Sequence, residues 1–373
     1  MASPPDHTVV DAEFMALALR LARRGLGRVA PNPAVGCVIV RDGVVVGRGW
    51  TQPGGRPHAE VGALAAAGEQ ARGATAYVTL EPCSHHGKTP PCCDALIDAG
   101  VARVVVAVQD PDGRVNGQGL ARLKQAGITV TTGLCETEAR TLNEGFMLAK
   151  TAGRPVVTLK MATSLDGKIA TKTGNSKWIT GDAARRYGHL LRASHDAIMV
   201  GVGTALADNP SLTCRIDGLL DRSPVRIVAD TRLSLPLTSE LVKTARQVPV
   251  WIVTVPGNDP DRLEAFRDLG VEIIEVKPSE SGFAHMKTAL DVLAQRGITR
   301  LLVEGGSHLQ ASLVKEHLAD YLMWFRAAKI IGGDGISALQ SIGLTNVGLA
   351  PSLELLETRR VGGDQLEKYL LRK

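Results

Sequence analysis

The stretch EPCSHHGKTPPCC, residues 81–93, places three of the chain's six cysteines and two of its nine histidines in one short segment. On its N-terminal side ATAYVTL reads as a buried strand; on its C-terminal side CDALIDAG reads as a helix and VARVVVAVQD as the next strand. Further upstream, Phe14, Leu17, Ala18 and Leu21 recur at helical spacing from Asp11 to about Arg24, with Asp11 the expected N-cap. APNPAVGCVIV leads into a strand, RDG makes a tight turn, VVVGRGW returns as the hairpin partner, and PHAEVGALAAAG is a helix. Downstream come a short helix around LARLKQAG, the strand ITVTTG and the helix ETEARTLNEGFMLAK. Strands alternating with helices imply a sheet covered on both faces, an α/β/α sandwich. TAGRP, residues 151–155, breaks the pattern with Gly and Pro and is the linker candidate. Beyond it VVTLKMA, DAIMVGV, VRIVAD, PVWIVTV, EIIEV, RLLVEGG and YLMWFRAAKI read as strands with helices between several of them, a second α/β domain. The expected domains are 1–150 and 151–373.

A length of 373 residues fits two such domains, and 44% hydrophobic with 22% charged residues is globular composition. A net charge of +5 is small for this length and does not indicate a strongly basic nucleic-acid face, although a local Arg and Lys cluster suffices for a phosphate. No apolar run approaches the roughly 20 residues that span a bilayer. The start MASPPDHTVVDAEF lacks a basic n-region and a hydrophobic h-region, so a cytosolic protein is expected. In a reducing compartment six cysteines are not a disulfide framework, and clustered ones bind metal or do chemistry. Cys37, Cys135 and Cys214 stand alone and are expected to be buried small hydrophobes.

In HAE, Pro57 ends the preceding loop, His58 opens a helix and Glu60 sits in its first turn. A lone His-x-Glu is common by chance. A cysteine at a strand end in EPC, and another at a helix start in PPCC, change its weight. One His and two Cys make a three-ligand zinc set with an open fourth position, the catalytic rather than the structural arrangement. Helix N-termini and a metal both favour the thiolate. Glu60, beside such a site, can take a proton as hydroxide forms and hand it to leaving ammonia. The order His58, Glu60, Cys83, Cys92 follows the zinc nucleobase deaminase pattern H-x-E then P-C-x-x-C, except that these cysteines stand nine residues apart. Cys93 competes with Cys92, and since adjacent helical residues point about 100° apart only one of them faces a metal. His85 and His86 are either further ligands or loop residues near the substrate.

PNPAVG, HAE and EPCSHHGKTPPC together resemble the deaminase half of the bifunctional riboflavin biosynthesis family, whose second cysteine lies at this longer distance. The resemblance implies one Zn2+ per chain on His58, Cys83 and Cys92, with Glu60 as proton shuttle. It also implies a pyrimidine contact for Asn32, which stands between two prolines; a turn-forming Asn is the plainer alternative. In the second domain KMATSLDGKIA, NSKWITG, GVGTALADNPSLTCR and VEGGSHL stand out. GVGTAL fails the dinucleotide G-x-G-x-x-G pattern because Leu206 holds the place of the third Gly. VEGGSHLQASLV sets two glycines between a strand and a helix, which suits a phosphate or simply a tight turn. In this order the four stretches resemble the reductase half of the same family, a relative of dihydrofolate reductase that uses NADPH. The implied cofactor contacts are Ala162, Trp178, Thr204, Asp208, Thr231 and the turn Gly306, Ser307, His308, Leu309, Gln310, Ala311 and Ser312. The implied substrate contacts are Ser176, Arg192, Leu212, Arg215 and Glu304. Arg192 and Arg215 can fork onto a ribose 5-phosphate. Glu304 and Lys160, polar groups in apolar strands, can orient or protonate an opened sugar, while a solvated strand-edge lysine is the ordinary alternative for Lys160. Trp178 is either core packing or an exposed cofactor contact.

The expected fold is therefore α/β: an N-terminal cytidine-deaminase-like α/β/α sandwich, a zinc-dependent pyrimidine deaminase domain, plus a C-terminal dihydrofolate-reductase-like α/β domain, an NADPH-dependent reductase. The expected function is zinc-hydroxide deamination of 2,5-diamino-6-(5-phosphoribosylamino)pyrimidin-4-one followed by NADPH reduction of the ribosyl chain to ribityl phosphate. The partner is that small-molecule phosphoribosylaminopyrimidine, with no nucleic acid and no membrane, in a homo-oligomer (dimer or larger) in the cytoplasm. A nucleic-acid base deaminase with an accessory substrate-binding domain is the alternative; four Trp, four Tyr and five Phe supply few stacking platforms for it. A structural zinc knot, closed by His85 or Cys93, is the non-enzymatic alternative.

Overall fold

The structure, a computed structural model, describes residues 7–87, 90–113 and 115–372. Residues 1–6, part of the chain start read above, and residues 88 and 89 of the cysteine stretch lie outside the described residues. The chain divides into two compact units, Met1–Gly153 and Arg154–Lys373.

In the first unit helix α1 (His7–Ala22) precedes strands β1 (Gly36–Arg41) and β2 (Val44–Trp50), which are joined through Asp42 and Gly43. Both turn residues have positive φ, 51° and 77°, the backbone a two-residue hairpin turn needs to match strand twist. Then follow α2 (Ala59–Ala67), β3 (Thr75–Val78), α3 (Cys92–Asp98), β4 (Arg103–Val106), α4 (Gln118–Gln125), β5 (Thr129–Thr132) and α5 (Glu136–Thr151). The sheet order is β2-β1-β3-β4-β5, antiparallel at β1 and parallel from β3 to β5. Glycines bring the hairpin against helices on both faces: a Cβ on Gly36 would lie 1.9 Å from the Ala18 carbonyl of α1, and one on Gly49 would lie 2.1 Å from the Ala59 carbonyl of α2. Asp11 is not the N-cap of α1, which begins four residues earlier; its carboxylate instead accepts from the Tyr77 hydroxyl at 2.6 Å and from Arg103 at 2.6 Å.

The register sets where the loops gather. Gly36 at the start of β1 faces Trp50 at the end of β2, and Cys37 faces Val78 at the end of β3, which runs parallel to β4. The segments before β1 and after β2, β3 and β4 therefore emerge at one end of the sheet, and the loop after β3 runs to the first residue of α3.

The second unit contains β6 (Val156–Thr163), β7 (Lys168–Ala170), α6 (Asp182–Ala193), β8 (Ala197–Gly201), α7 (Val202–Asp208), β9 (Val225–Ala229) and α8 (Glu240–Lys243). It continues with β10 (Val250–Thr254), α9 (Pro260–Asp268), β11 (Val271–Glu275), α10 (Met286–Gln295), β12 (Arg300–Glu304) and α11 (Ser307–Lys315). The last strands are β13 (Tyr321–Arg326), β14 (Ile336–Ser337), β15 (Leu353–Val361) and β16 (Asp364–Leu371). The 9-stranded sheet runs β11-β10-β9-β8-β12-β6-β13-β16-β15, parallel through β13 and antiparallel at the final hairpin. The chain walks outward from β8 to β11 and returns as β12 between β8 and β6, which makes the carboxyl ends of β8 and β12 a switch point where ligands bind in such sheets. Two apolar clusters cover the two faces, one built on Leu159, Leu290 and Leu313 and the other on Ile198, Leu241 and Phe266. The β15–β16 hairpin and the small β7–β14 pair were not anticipated from the sequence.

Candidate metal centre and cofactor turn

His58 is the extended residue just before α2, Cys83 lies on the loop after β3, and Cys92 is the first residue of α3. Their ligand atoms lie within 4.8 Å of one another, and no fourth His, Cys, Asp or Glu joins them among the described residues. His58 Nδ1 is 3.2 Å from Cys92 Sγ and 3.7 Å from Cys83 Sγ. The Cys92 amide, at the positive end of α3, donates to Cys83 Sγ at 3.3 Å. The neighbouring Cys92 side chain pulls the Cys83 thiol down to about 4, while the Cys83 side chain and burial push the Cys92 thiol up. One imidazole and two adjacent sulfurs, one ready to be a thiolate, fit zinc. Glu60, in the first turn of α2, is 3% exposed. Burial, then the Cys83 sulfur, raises its carboxyl to about 7, where it takes and gives protons with equal ease at neutral pH.

Cys93 does not compete. Its side chain is fully buried in the apolar core, and burial raises its thiol to about 11. Ser84 Oγ and His85 Nδ1 are buried without a hydrogen-bond partner among the described residues, whereas His86 is exposed. Asn32 is half-buried, and Gly55 makes room for it: a Cβ there would lie 1.9 Å from the Asn32 amide nitrogen. Cys37 and Cys214 are buried as expected, but Cys135 is only partly so and adopts φ 56° before α5.

In the second unit Glu304 ends β12 directly beside Lys160 of β6. Arg192 forks onto Glu304 through Nε and Nη2 at 2.9 and 2.8 Å, and its Nη1 donates to the Thr213 carbonyl at 3.0 Å. The expected Arg192–Arg215 pair on one phosphate is thus altered, since the Arg192 fork is already taken and Arg215 is the exposed one, donating to Ser211 at 2.6 Å. Burial opposes ionisation of Glu304, but Arg192 overrides it and holds the carboxyl down to about 2. Lys160 is not an edge lysine: β6 lies between β12 and β13, and burial lowers its pKa against the pull of Glu304. Leu212 is buried with φ 55°, and Ser176 turns the backbone by accepting from the Ile179 amide. Trp178 is 61% exposed with the Arg185 guanidinium 4.4 Å from its ring centre, so it is not core packing.

Gly305 and Gly306 have φ 71° and 80°, and a Cβ on either would lie within 3.3 Å of Thr204 or of the Gly201 amide. The segment Gly306 to Ser312 is not a turn as expected: only Gly306 precedes α11, and Ser307 to Ser312 form its first turns. Gln310 and Ala311 are buried there, and Gln310 Oε1 has no hydrogen-bond partner among the described residues. A side-chain-free cradle opening a helix fits a phosphate-bearing cofactor. Thr204 lies beside Gly305, Asp208 ends α7, and Thr231, just past β9, accepts from the Ala284 amide at 3.2 Å. Ala162 lies near the end of β6.

Residues 8–108 match the cytidine and deoxycytidylate deaminase zinc-binding region, and residues 155–366 match the RibD C-terminal domain. The riboflavin biosynthesis protein RibD of Escherichia coli is 43% identical over 365 residues, covering 95% of this chain and 97% of that protein. The chain belongs to the RibD family. The RibD of Aquifex aeolicus is 42% identical over 95% of this chain and 97% of its own length. The Acinetobacter baumannii RibD structure superposes with a TM-score of 0.89 at 38% identity, covering 98% of this chain and 100% of that one. A Thermotoga maritima structure described as a diaminohydroxyphosphoribosylaminopyrimidine deaminase and 5-amino-6-(5-phosphoribosylamino)uracil reductase superposes with a TM-score of 0.86 at 36% identity, covering 98% and 100%. As a RibD-family member this protein is an α/β enzyme of riboflavin biosynthesis with deaminase and reductase activities, and its cofactors are Zn2+ and NADPH.

Two buried carboxylates on the loops after β3 and β4 escaped the sequence reading. Glu81, 3% exposed, ties the loop after β3 to the loop after β4. Asp110, on that second loop, is buried with its carboxyl raised to about 6 by desolvation. The available signal was a carboxylate interrupting an otherwise apolar run at a strand end. Among the described residues no helix is long and apolar enough to cross a membrane.

Proposed function

We propose that the first unit deaminates 2,5-diamino-6-(5-phosphoribosylamino)pyrimidin-4-one and that the second reduces the ribosyl chain of the product to ribityl phosphate. The observation that carries this reading is the convergence of His58, Cys83 and Cys92 within 4.8 Å, with buried Glu60 in the same helix start. His58, Cys83 and Cys92 would hold one zinc, which supplies a Lewis acid that makes water easier to deprotonate. Glu60 takes the proton from the attacking water and returns it to the departing amine nitrogen, so water adds at the ring carbon as ammonia leaves. Asn32, in the space that Gly55 leaves open, orients the pyrimidine.

In the second unit the residues that open α11, from Gly306 to Ser312, together with Ala162, Trp178, Thr204, Asp208 and Thr231, would hold NADPH, which supplies the hydride. Ser176, Arg192, Leu212, Arg215 and Glu304 hold the phosphoribosyl chain: Arg215, exposed and with Nη1 on the Ser211 hydroxyl, reaches the phosphate from solvent, and the Arg192–Glu304 pair presents a fixed carboxylate to the sugar. Lys160, beside Glu304 and with a lowered pKa, is the proton source for the reduced chain.

The enzyme is further read as a cytoplasmic homo-oligomer that takes no nucleic acid or membrane partner. Strand β15 supports self-association, because it is the sheet edge and exposes Leu353, Leu355 and Leu356. Its acids, Glu354 and Glu357, precede its bases, Arg359 and Arg360, so antiparallel pairing of two copies sets opposite charges face to face. Incubation with the diaminopyrimidine phosphate, with and without NADPH, tests the whole reading. Ammonia release should need no NADPH, and NADPH oxidation should follow deamination; NADPH consumption without prior ammonia release would overturn the order.

A further inference from the structure

Glu81 is a buried carboxylate that the proposed chemistry does not use, and every acceptor position on it is turned toward backbone. One oxygen accepts from Asp110 N at 3.2 Å and Gly117 N at 2.9 Å; the other accepts from Gly119 N at 2.9 Å and Leu120 N at 3.3 Å. Its own amide donates to the Val108 carbonyl at 2.9 Å. Four N–H donors onto one carboxylate, at the positive end of α4, are far more than a surface acid would collect. The approach leaves no room for side chains: a Cβ on Gly119 would lie 2.1 Å from the Pro82 carbonyl.

The other end of this attachment returns to the cysteines. Arg122, one turn further along α4, donates to the Ser84 carbonyl at 3.5 Å and pairs with Asp94 Oδ1 of α3 at 2.7 Å. Helix α4 therefore holds the chain two residues before Cys83, one residue after it, and two residues after Cys92. We propose that Glu81 is a positioning residue for the metal ligands, fastening the Cys83 loop to α4 so that Cys83 and Cys92 are held at a separation a single cation can bridge. The inference rests on the assignment of His58, Cys83 and Cys92 as ligands.

Glu81→Gln keeps the shape but turns an NH2 group toward two backbone N–H donors. Zinc affinity, read by competition with a chromophoric chelator, should fall on the order of 10- to 100-fold, as for residues that orient metal ligands. The cobalt(II)-loaded variant should lose the intense visible bands of a tetrahedral thiolate site. Arg122→Ala, a partly exposed change that leaves the core intact, should weaken zinc by a smaller factor in the same direction. Asp11→Ala serves as the control for general loosening, since it cuts the bonds to Tyr77 and Arg103 elsewhere in the same unit and should keep zinc. Native-like zinc affinity and cobalt spectra in both Glu81→Gln and Arg122→Ala would overturn the inference, as would equal zinc loss in Asp11→Ala. Failure of the wild-type protein to bind zinc would instead remove the ligand assignment itself.

Discussion

At the scale of single residues, the site depends on charges held where water cannot reach them. Glu60→Gln keeps the volume of the side chain but removes its proton exchange, and deamination should fall by about 10²- to 10⁴-fold with zinc content unchanged. An equal fall in zinc content, measured by metal analysis, would show that Glu60 serves binding instead. His195 is 3% exposed between the Leu191 carbonyl and Thr158, and burial, with Arg300 nearby, lowers its pKa to about 3. The unfolded chain takes up a proton near pH 6.5 that the folded chain refuses, so stability should fall as pH drops from about 6.5 toward 3, by up to about 1.4 kcal/mol per pH unit from this group. Urea unfolding across that range should show a shallower slope for His195→Gln. The cluster of His58, Cys83 and Cys92 was legible as sequence because His, Glu and Cys in that order are a chemical pattern independent of packing. The Arg192–Glu304 fork was not legible, because 112 residues separate the partners and only the packing of α6 against the end of β12 brings them together.

At the scale of elements, close approach matters more than propensity. Gly49 of β2 lies against α2, where a Cβ would sit 2.1 Å from the Ala59 carbonyl and 2.5 Å from the Ala63 amide. Gly49→Ala should therefore cost at least about 2 kcal/mol by thermal or urea unfolding. Because α2 carries His58 and Glu60 at its start, the same variant should lose zinc affinity; an alanine accommodated without either effect would mean the helix can slide. Arg154 and Asp320 form a buried two-pronged pair at 2.7 Å, with Asp320 also accepting from the Val157 amide. Asp320→Asn leaves a buried guanidinium half-paired and should destabilise the second unit by about 3–5 kcal/mol. Most strands and helices were readable from their periodicity. The β15–β16 hairpin was missed because β15 faces outward over most of its length and its residues do not alternate, although VGGD between two runs is a hairpin signal. The extent of α11 was misread because Gly305 and Gly306 suggested a longer turn than the single residue before the helix.

At the scale of the molecule, each unit closes its own hydrophobic core: Met15, Ile39 and Val105 lie in one, Leu159, Leu290 and Leu301 in another. Residues 1–153 alone should release ammonia from the diaminopyrimidine phosphate, and residues 154–373 alone should oxidise NADPH with the deaminated intermediate. Zinc removal by a chelator should abolish the first activity and spare the second; loss of both would mean that the metal stabilises more than its own site. The α/β class and the proximity of His58, Cys83 and Cys92 follow from the linear sequence. They depend on periodicity, on Gly and Pro punctuation and on side-chain chemistry, all of which are local. Tertiary structure alone decided that Cys92 rather than Cys93 faces His58, that Lys160 is enclosed, and that Glu81 fastens the cysteine loop to α4. Those outcomes depend on which way a side chain points once strands pair and helices dock, and that direction is set by contacts between segments far apart in the chain.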